Sequence, residues 1–341
     1  MDKDGVDMRV LHSPINIAGQ ASIIAKAQRE LGVESDVLVF DQNIFGYDYD
    51  VNLSLSEKPL HIALIVKSIN FCRCLFKYDV FHFHFARTLL PKNIDLPILK
   101  LFGKKVVMTY WGDDIRQLDI AKKFKYHYAR EVNSDSNVED RKRRKIRRID
   151  RYVGATITGY ELLEFAPYSH ITELAIDLSK NPFIGLNKGK DSKPNVVHAP
   201  TNRIIKGTKY IISAIERLKD EGYDFNFILV EDRSHEEALE IYNSADIIVD
   251  QLLIGTYGCF AVECMAMGKP VLCFIRDEMK AYHPEIPILS TNPDNVYDNI
   301  KLLIENPSMR EELGIKGRKY VEEVHDSKII AKQMIELYES I

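Results

Sequence analysis

The stretch from Asp246 to Ile275, DIIVDQLLIGTYGCFAVECMAMGKPVLCFI, sets a glycine-bearing loop, Gly255-Thr256-Tyr257-Gly258, between a β-branched run and a short apolar helix carrying Glu263. Glycine lets backbone bend sharply or approach a ligand. A helix start offers unpaired N–H groups and a positive dipole end, so the block is suited to an anion or a polar sugar. Glu263 lies a little over one turn into the helix, where a carboxylate can accept hydrogen bonds from ligand hydroxyls. A second set, Asn202, Arg203 and Lys206 before Gly207 and Thr208, places two cations beside another helix start. Arg binds phosphate as a bidentate fork and Lys as a point charge, so this pattern reads as a diphosphate site. In the first half, His82 and His84 share one face of a strand by its two-residue period, and Asp113-Asp114 follows Trp111-Gly112. His84, at the strand end, is the site candidate; the competing reading is a buried, satisfied histidine. Asp113-Asp114 lacks a separated partner carboxylate or a companion His, and no metal is expected.

These residues need elements to hold them, and strand-like and helix-like segments alternate almost throughout. Strand candidates are Met8–His12, Asp36–Phe40, Asp79–Phe85, Lys105–Tyr110 and Tyr152–Thr158, then a second series from Val196–His198 through Asn226–Val230 and Asp246–Asp250 to Val271–Ile275. Helix candidates lie between them, among them Ala21–Leu31, Leu60–Phe76, Ile94–Phe102, Thr208–Gly222 and His235–Ser244. Strands this apolar, alternating with helices, indicate parallel sheets covered on both faces. The polar stretch Ser179–Asn195 is the linker candidate. The fold class expected is α/β, with two Rossmann-like domains facing an interdomain cleft. Gly19, His84, Trp111–Asp114, Asn202–Lys206 and Gly255–Gly258 each follow a strand directly, at the edge where open α/β sheets bind ligands. No Gly-x-Gly-x-x-Gly follows any strand, which argues against a dinucleotide site.

The motifs resemble retaining family-4 glycosyltransferases of the GT-B fold, which carry Glu-x-Phe/Tyr-Gly, four residues, then Glu-Ala-Met-Ala-x-Gly-x-Pro-Val. Here the match is Gly255-x-Tyr257-Gly258, then Glu263-Cys-Met-Ala-Met-Gly268-Lys-Pro270-Val271, with Gly255 replacing the first Glu. Tyr78-Asp-Val-Phe-His82-Phe-His84, Thr109-Tyr-Trp111-Gly112-Asp113-Asp114 and Asn16-Ile-Ala-Gly19-Gln20 resemble the family's cleft segments, with Trp111 where a donor-contacting His is common. The family's Arg, five residues before the Lys, is Thr201 here, and Arg203 stands three before. The resemblance implies that Arg203 and Lys206 hold a diphosphate, that Glu263 holds ribose hydroxyls, and that the Gly255–Gly258 loop offers N–H groups to the sugar or diphosphate. It also implies that Asp114 serves the site. The domains it implies are 1–180 for the acceptor, with the helix 325–341 returning to it, and 190–324 for a nucleotide sugar. The expected activity is transfer of a sugar from a nucleotide-diphosphate sugar to a glycan or lipid-linked acceptor in polysaccharide biosynthesis, with the donor as co-substrate and no cofactor or metal. A nucleotide-sugar epimerase and a non-catalytic nucleotide-sugar-binding protein are the rival classes.

Bulk properties narrow the field. The 341 residues suit two ordinary domains, and 45% hydrophobic with 28% charged residues is a soluble globular composition. A net charge of −4 gives no reason to expect nucleic acid. The five cysteines have no metal spacing and read as free thiols in a cytoplasm. Met1-Asp-Lys-Asp opens no signal peptide, and no apolar run approaches the ~20 residues that span a bilayer. The basic run at 141–151 (RKRRKIRRIDR) reads as a solvated helix face over a buried stripe of Ile146, Ile149 and Val153, or as a peripheral contact with anionic lipid or a lipid-diphosphate acceptor.

Overall fold

The computed structural model describes residues 8–186 and 193–341. The Met1-Asp-Lys-Asp start and residues 187–192 of the expected linker lie outside the described residues. The chain divides into two units. Unit 1 takes residues up to Gln117, Asp135–Ala175 and Ser327–Ile341; unit 2 takes Leu118–Ser134 and Ile176–Asp326.

The sheet of unit 1 is formed by β1 (Arg9–Ser13), β2 (Glu34–Val39), β3 (Val51–Asn52), β4 (Val80–His84), β5 (Lys105–Thr109), β6 (Ala155–Thr158) and β7 (His170–Ile171). Their order is β3-β2-β1-β4-β5-β6-β7, and every pairing is parallel. Parallel strands need crossover connections, and the helices that supply them cover the faces. β4 is buried along its whole length. Val10, Val80, Val107 and Ile157 from the sheet pack with Ile330, Met334 and Tyr338 of the helix Ser327–Ser340.

Unit 2 repeats the plan with β8 (Asn195–His198), β9 (Asn226–Leu229), β10 (Ile247–Val249), β11 (Val271–Cys273) and β12 (Leu289–Ser290), in the parallel order β12-β11-β10-β8-β9. Its core joins Val196, Ile247, Val249 and Leu272 to Ile211, Ile215, Leu218, Ile300 and Leu303 of the covering helices. The segment 118–134, expected within the first domain, belongs to unit 2. Tyr128 is in that core, its N–H donates to the Leu253 carbonyl (3.0 Å), and Lys125 pairs with Asp294 (3.1 Å). Unit 1 also stops at Ala175 rather than residue 180.

None of the five cysteines forms a disulfide. Among the described residues no helix is long and apolar enough to cross a membrane. The basic run forms part of the helix Ser136–Asp150, whose buried side carries Ile146 and Ile149; Val153 lies beyond the helix end and is only half-buried, so it does not continue the stripe.

Candidate functional site

Each sheet has one point where the chain reverses its direction of strand addition. In unit 2, β9 is added on one side of β8 and β10 on the other, so the crevice opens between β8 and β10. Ligands of open α/β sheets lie there, outside the carboxyl ends of the strands. The sequence places Asn202–Lys206 after β8 and Gly255–Gly258 after β10, on the two lips of that crevice. In unit 1 the reversal lies between β1 and β4, which Gly19 and His84 follow, with Asp114 beyond the neighbouring β5.

Arg203 and Lys206 are not on an open loop. They form a one-turn helix, Arg203–Lys206, which Asn202 caps by accepting from Ile204 N (3.0 Å) and Ile205 N (3.1 Å). The cap occupies the Asn202 side-chain oxygen. Lys206 turns inward: its Nζ donates to Asp250 Oδ1 (2.7 Å) and Gln251 Oε1 (2.8 Å), with Asp250 fully buried. Gln251 Nε2 in turn donates to the Thr256 carbonyl (2.5 Å), and Gly258 N–H donates to Asp250 Oδ2 (3.3 Å). Asp250 and Gln251 thus tie the Lys206 ammonium to the Gly255–Gly258 loop, and a Cβ on Gly258 would stand 3.9 Å from that ammonium. Behind Gly258 starts the helix Cys259–Ala266, with no side chain capping it. An ammonium beside an uncapped helix start suits an anion by charge and hydrogen-bond donors, though here the buried Asp250 carboxylate offsets that charge. Arg203 stands apart, its guanidinium forked onto the Glu231 carboxylate at an exposed position (Nε–Oε1 2.7 Å, Nη2–Oε2 2.5 Å).

Glu263, one turn further on, accepts from His235 Nε2 at 2.7 Å. That hydrogen bond holds the His235 imidazole above its ordinary range. His235 opens a helix that Ser234 and Glu237 cap reciprocally, so its backbone position is fixed. The Cys259 thiol lies within reach of the Glu263, Lys206 and Asp250 charges; burial, then Glu263, pushes it up to about 12, which leaves it inert. The Tyr257 side chain is buried, with its hydroxyl 3.1 Å from His325 Nε2 and 3.3 Å from the Tyr320 hydroxyl, which leaves only its backbone to face a ligand.

Gly255 has a physical reason for not being Glu. Its φ is +96°, and a Cβ there would lie 2.4 Å from Cγ of Arg276. Arg276 is buried, and its guanidinium lies 4.1 Å above the Phe124 ring. A guanidinium therefore occupies the neighbourhood from which a carboxylate is missing.

In unit 1, Gly19 adopts φ +72° at the start of the helix Gln20–Glu30, a left-handed conformation that glycine takes without strain. His84 is fully enclosed, and both its ring nitrogens are engaged. The Trp111 indole N–H donates to His84 Nδ1 (3.2 Å), so a neutral His84 carries its proton on Nε2 and donates to His12 Nδ1 (3.1 Å). His12 Nε2 then donates to Gln28 Oε1 (2.9 Å). Gln28 Nε2 reaches the Tyr338 hydroxyl (3.3 Å), which donates to His82 Nδ1 (2.5 Å), and His82 Nε2 donates to Thr109 Oγ1 (2.6 Å). Burial holds all three imidazoles below their ordinary range, His12 at about 4. Their ring nitrogens lie close enough together to suggest a metal, yet all six are engaged in this one-directional chain. His84 therefore bonds Trp111 and His12, and the satisfied-histidine reading is the one its geometry fits.

Asp114 is buried, and its Oδ1 accepts from Trp111 N (3.1 Å) and Gly112 N (2.8 Å). Its Oδ2 has no hydrogen-bond partner, and burial raises its pKa to about 6. The residues that sequence reasoning missed are Asp250, Gln251, His235, Glu231 and Arg276. Each closes a contact across 20 to 50 positions that no local pattern reveals. Asp250 and Gln251 do directly follow a β-branched run, which was a usable signal.

No family model matches the chain, and no curated protein matches it in sequence. Solved structures do resemble it. Sucrose-phosphate synthase from Thermosynechococcus elongatus superposes with a TM-score of 0.66 at 16% identity over 98% of each chain. The catalytic domain of starch synthase IV from Arabidopsis thaliana, bound to ADP and acarbose, gives 0.64 at 12% identity over 98% of this chain and 99% of that one. This chain has the GT-B fold. At such identities the likeness speaks for the fold, and the residue roles rest on the contacts described above.

Proposed function

We propose that the chain is a glycosyltransferase that moves a sugar from a nucleotide-diphosphate sugar to an acceptor, with retention of anomeric configuration and without a bound metal. The observation that supports this reading is the β8/β10 reversal, where the Lys206 ammonium, paired with Asp250, stands beside the uncapped start of the helix Cys259–Ala266. A diphosphate bound there meets preorganised donors, and these stabilise the charge that grows on it as the glycosidic bond breaks. Glu263 takes the ribose hydroxyls, exchanging or sharing its bond with His235. Unit 1 takes the glycan or lipid-linked acceptor. The departing phosphate is the proton acceptor, since His84, at the end of β4, has both ring nitrogens engaged. A cytoplasmic place in polysaccharide assembly accords with this chemistry.

A second reading, binding of a nucleotide sugar without transfer, is favoured by Arg276 and Gly255 standing where the resembled family has a carboxylate. One experiment separates the readings. A thermal-shift panel of nucleotide-diphosphate sugars is followed by analysis of donor consumed with and without candidate acceptors. A ligand at 100 times its Kd adds about 2.7 kcal/mol to apparent stability, an easily read shift. Acceptor-dependent donor loss supports transfer, while donor isomerisation alone indicates an epimerase. Binding with no turnover supports the second reading. For the site itself, Lys206→Ala should cost about 1.5–3 kcal/mol of nucleoside diphosphate binding, the scale of a hydrogen bond to a charged group. Unchanged affinity by calorimetry would remove Lys206 from the site.

A further inference from the structure

The basic residues of the helix Ser136–Asp150 divide by their partners. Lys142 lies 3.9 Å from Glu139 and donates to the Arg116 carbonyl (2.5 Å), while Arg143 bonds Gln117 (2.8 Å) and Asp140 (3.0 Å). The face at 141, 144, 145 and 148 follows the i, i+3, i+4, i+7 spacing of one helix side. Arg141, Arg144, Lys145 and Arg148 all line a cavity of about 470 Å³ in unit 1. Across it stand Arg87 and Lys92, on the loop that follows β4, and Lys67, from the helix Leu60–Lys77. No acidic side chain lines this cavity, and among the described residues none of these seven cations forms an ion pair. A merely solvated face would not gather unpaired charge from three separate elements around one concavity. The resulting repulsion is visible in Lys67 and Lys145, both held below the ordinary lysine range by burial and then by the Arg87 charge.

The loop that brings Arg87 and Lys92 here is held in a sparsely populated backbone conformation. Phe85, Ala86, Lys92 and Asn93 have φ values of +60°, +51°, +56° and +57°. Such strain persists only where surrounding contacts impose it, and it concentrates at ligand sites. The imposing contacts are on hand. The fully buried Asp95 carboxylate accepts from Thr88 Oγ1 (2.6 Å) and Leu90 N (3.0 Å), and Arg148 donates to the Lys92 carbonyl (2.8 Å).

We propose that this cavity binds the phosphoryl groups of a phosphate- or diphosphate-bearing acceptor. Three arginines on the helix side match phosphate oxygens by their forked geometry, and seven unpaired charges exceed what a single carboxylate would neutralise. The word acceptor rests on the glycosyl-transfer reading; the phosphoryl site itself does not.

The test uses the full chain with a nucleoside diphosphate held at saturation, so that the anion site of unit 2 is filled. Calorimetry then measures inorganic pyrophosphate binding to wild type and to the variant Arg144→Gln/Lys145→Gln/Arg148→Gln, whose side chains sit at or near the surface. Arg87→Gln, on the facing loop, is the independent second variant. The expected result is at least a tenfold loss of pyrophosphate affinity in both variants, a shallower salt dependence, and unaltered nucleoside diphosphate affinity. A parallel arm measures co-sedimentation with phosphatidylcholine vesicles with and without phosphatidic acid. Pyrophosphate binding alone assigns the site to a soluble ligand, while variant-sensitive pelleting that requires phosphatidic acid assigns it to a lipid-borne phosphate. Equal pyrophosphate affinity in wild type and both variants overturns the proposal, as does binding of neither probe at low ionic strength. Failure of wild type to bind nucleoside diphosphate would instead sink the glycosyl-transfer reading and leave the pyrophosphate comparison intact.

Discussion

Asp114 shows what burying a single carboxylate costs. One of its oxygens fastens the Trp111–Asp114 turn, and the other is buried with no partner. With its folded pKa raised to about 6 from the ordinary 3.8, the folded state holds a proton that the unfolded chain has lost between those values. Stability contributed by the protonated form therefore falls as pH rises through this window. Asp114→Asn keeps the Oδ1 acceptor and removes the charge. The variant should be more stable than wild type at pH 7 by about 1 kcal/mol, the burial penalty of the charge less the cost of an unmatched amide. Its advantage should shrink as pH falls to 4; parallel melting curves for the two proteins from pH 4 to 7 would exclude a raised pKa. At this scale the sequence disclosed residue types better than residue circumstances. The placement of Glu263 one turn into a helix and of Lys206 just before one was legible from spacing. That Gly255 sits under Arg276, or that Glu263 meets His235, depends on chain segments 21 and 28 residues apart brought side by side by the sheet.

The elements were mostly legible because their apolar periods are long. β4, buried along its whole length, and the amphipathic helix Thr208–Asp220 both match their expected positions to within about two residues. The edge strands β3, β7 and β12 have two residues each, too few to show any period, and were missed. The helix Ser327–Ser340 does more than cover a sheet, because its Tyr338 hydroxyl is the link through which Gln28 and His82 join one hydrogen-bond chain ending at Trp111. Tyr338→Phe preserves the ring's packing and strands the buried acceptor on His82. The expected cost is about 1–3 kcal/mol in urea unfolding; a loss below half a kilocalorie would show that the chain carries no such load.

For the molecule as a whole, buried neutral histidines set the response to acid. His12, His82 and His84 lie in unit 1, and His198, held at about 4 by burial, lies in unit 2. Each has a folded pKa below its unfolded value, so its contribution is complete above about pH 6.5 and is lost as pH falls toward 4, at about 1.4 kcal/mol per pH unit. Asp95, Asp114 and Asp150 in unit 1, all raised by burial, act in the opposite sense over the same window and soften the fall. Unit 2, whose His198 has no raised carboxylate opposing it among the described residues, should therefore be the more acid-labile. Trp111 is the only tryptophan and lies in unit 1, so its emission should change at lower pH than total helical ellipticity. Coincident transitions would show that the units do not unfold separately. Alternation of strands and helices revealed two units but not which one owns 118–134, since ownership is decided by packing and not by order along the chain. The same interleaving governs how the protein is made. Residues 327–341 complete the core of unit 1, and they follow the whole of 176–326 in the chain. At translation rates of roughly 5–20 residues per second, a nascent unit 1 waits on the order of ten seconds or more for its missing helix. During that wait its sheet is exposed on the ribosome while the later-synthesised unit 2 can close first, reversing the order in which the two are encoded.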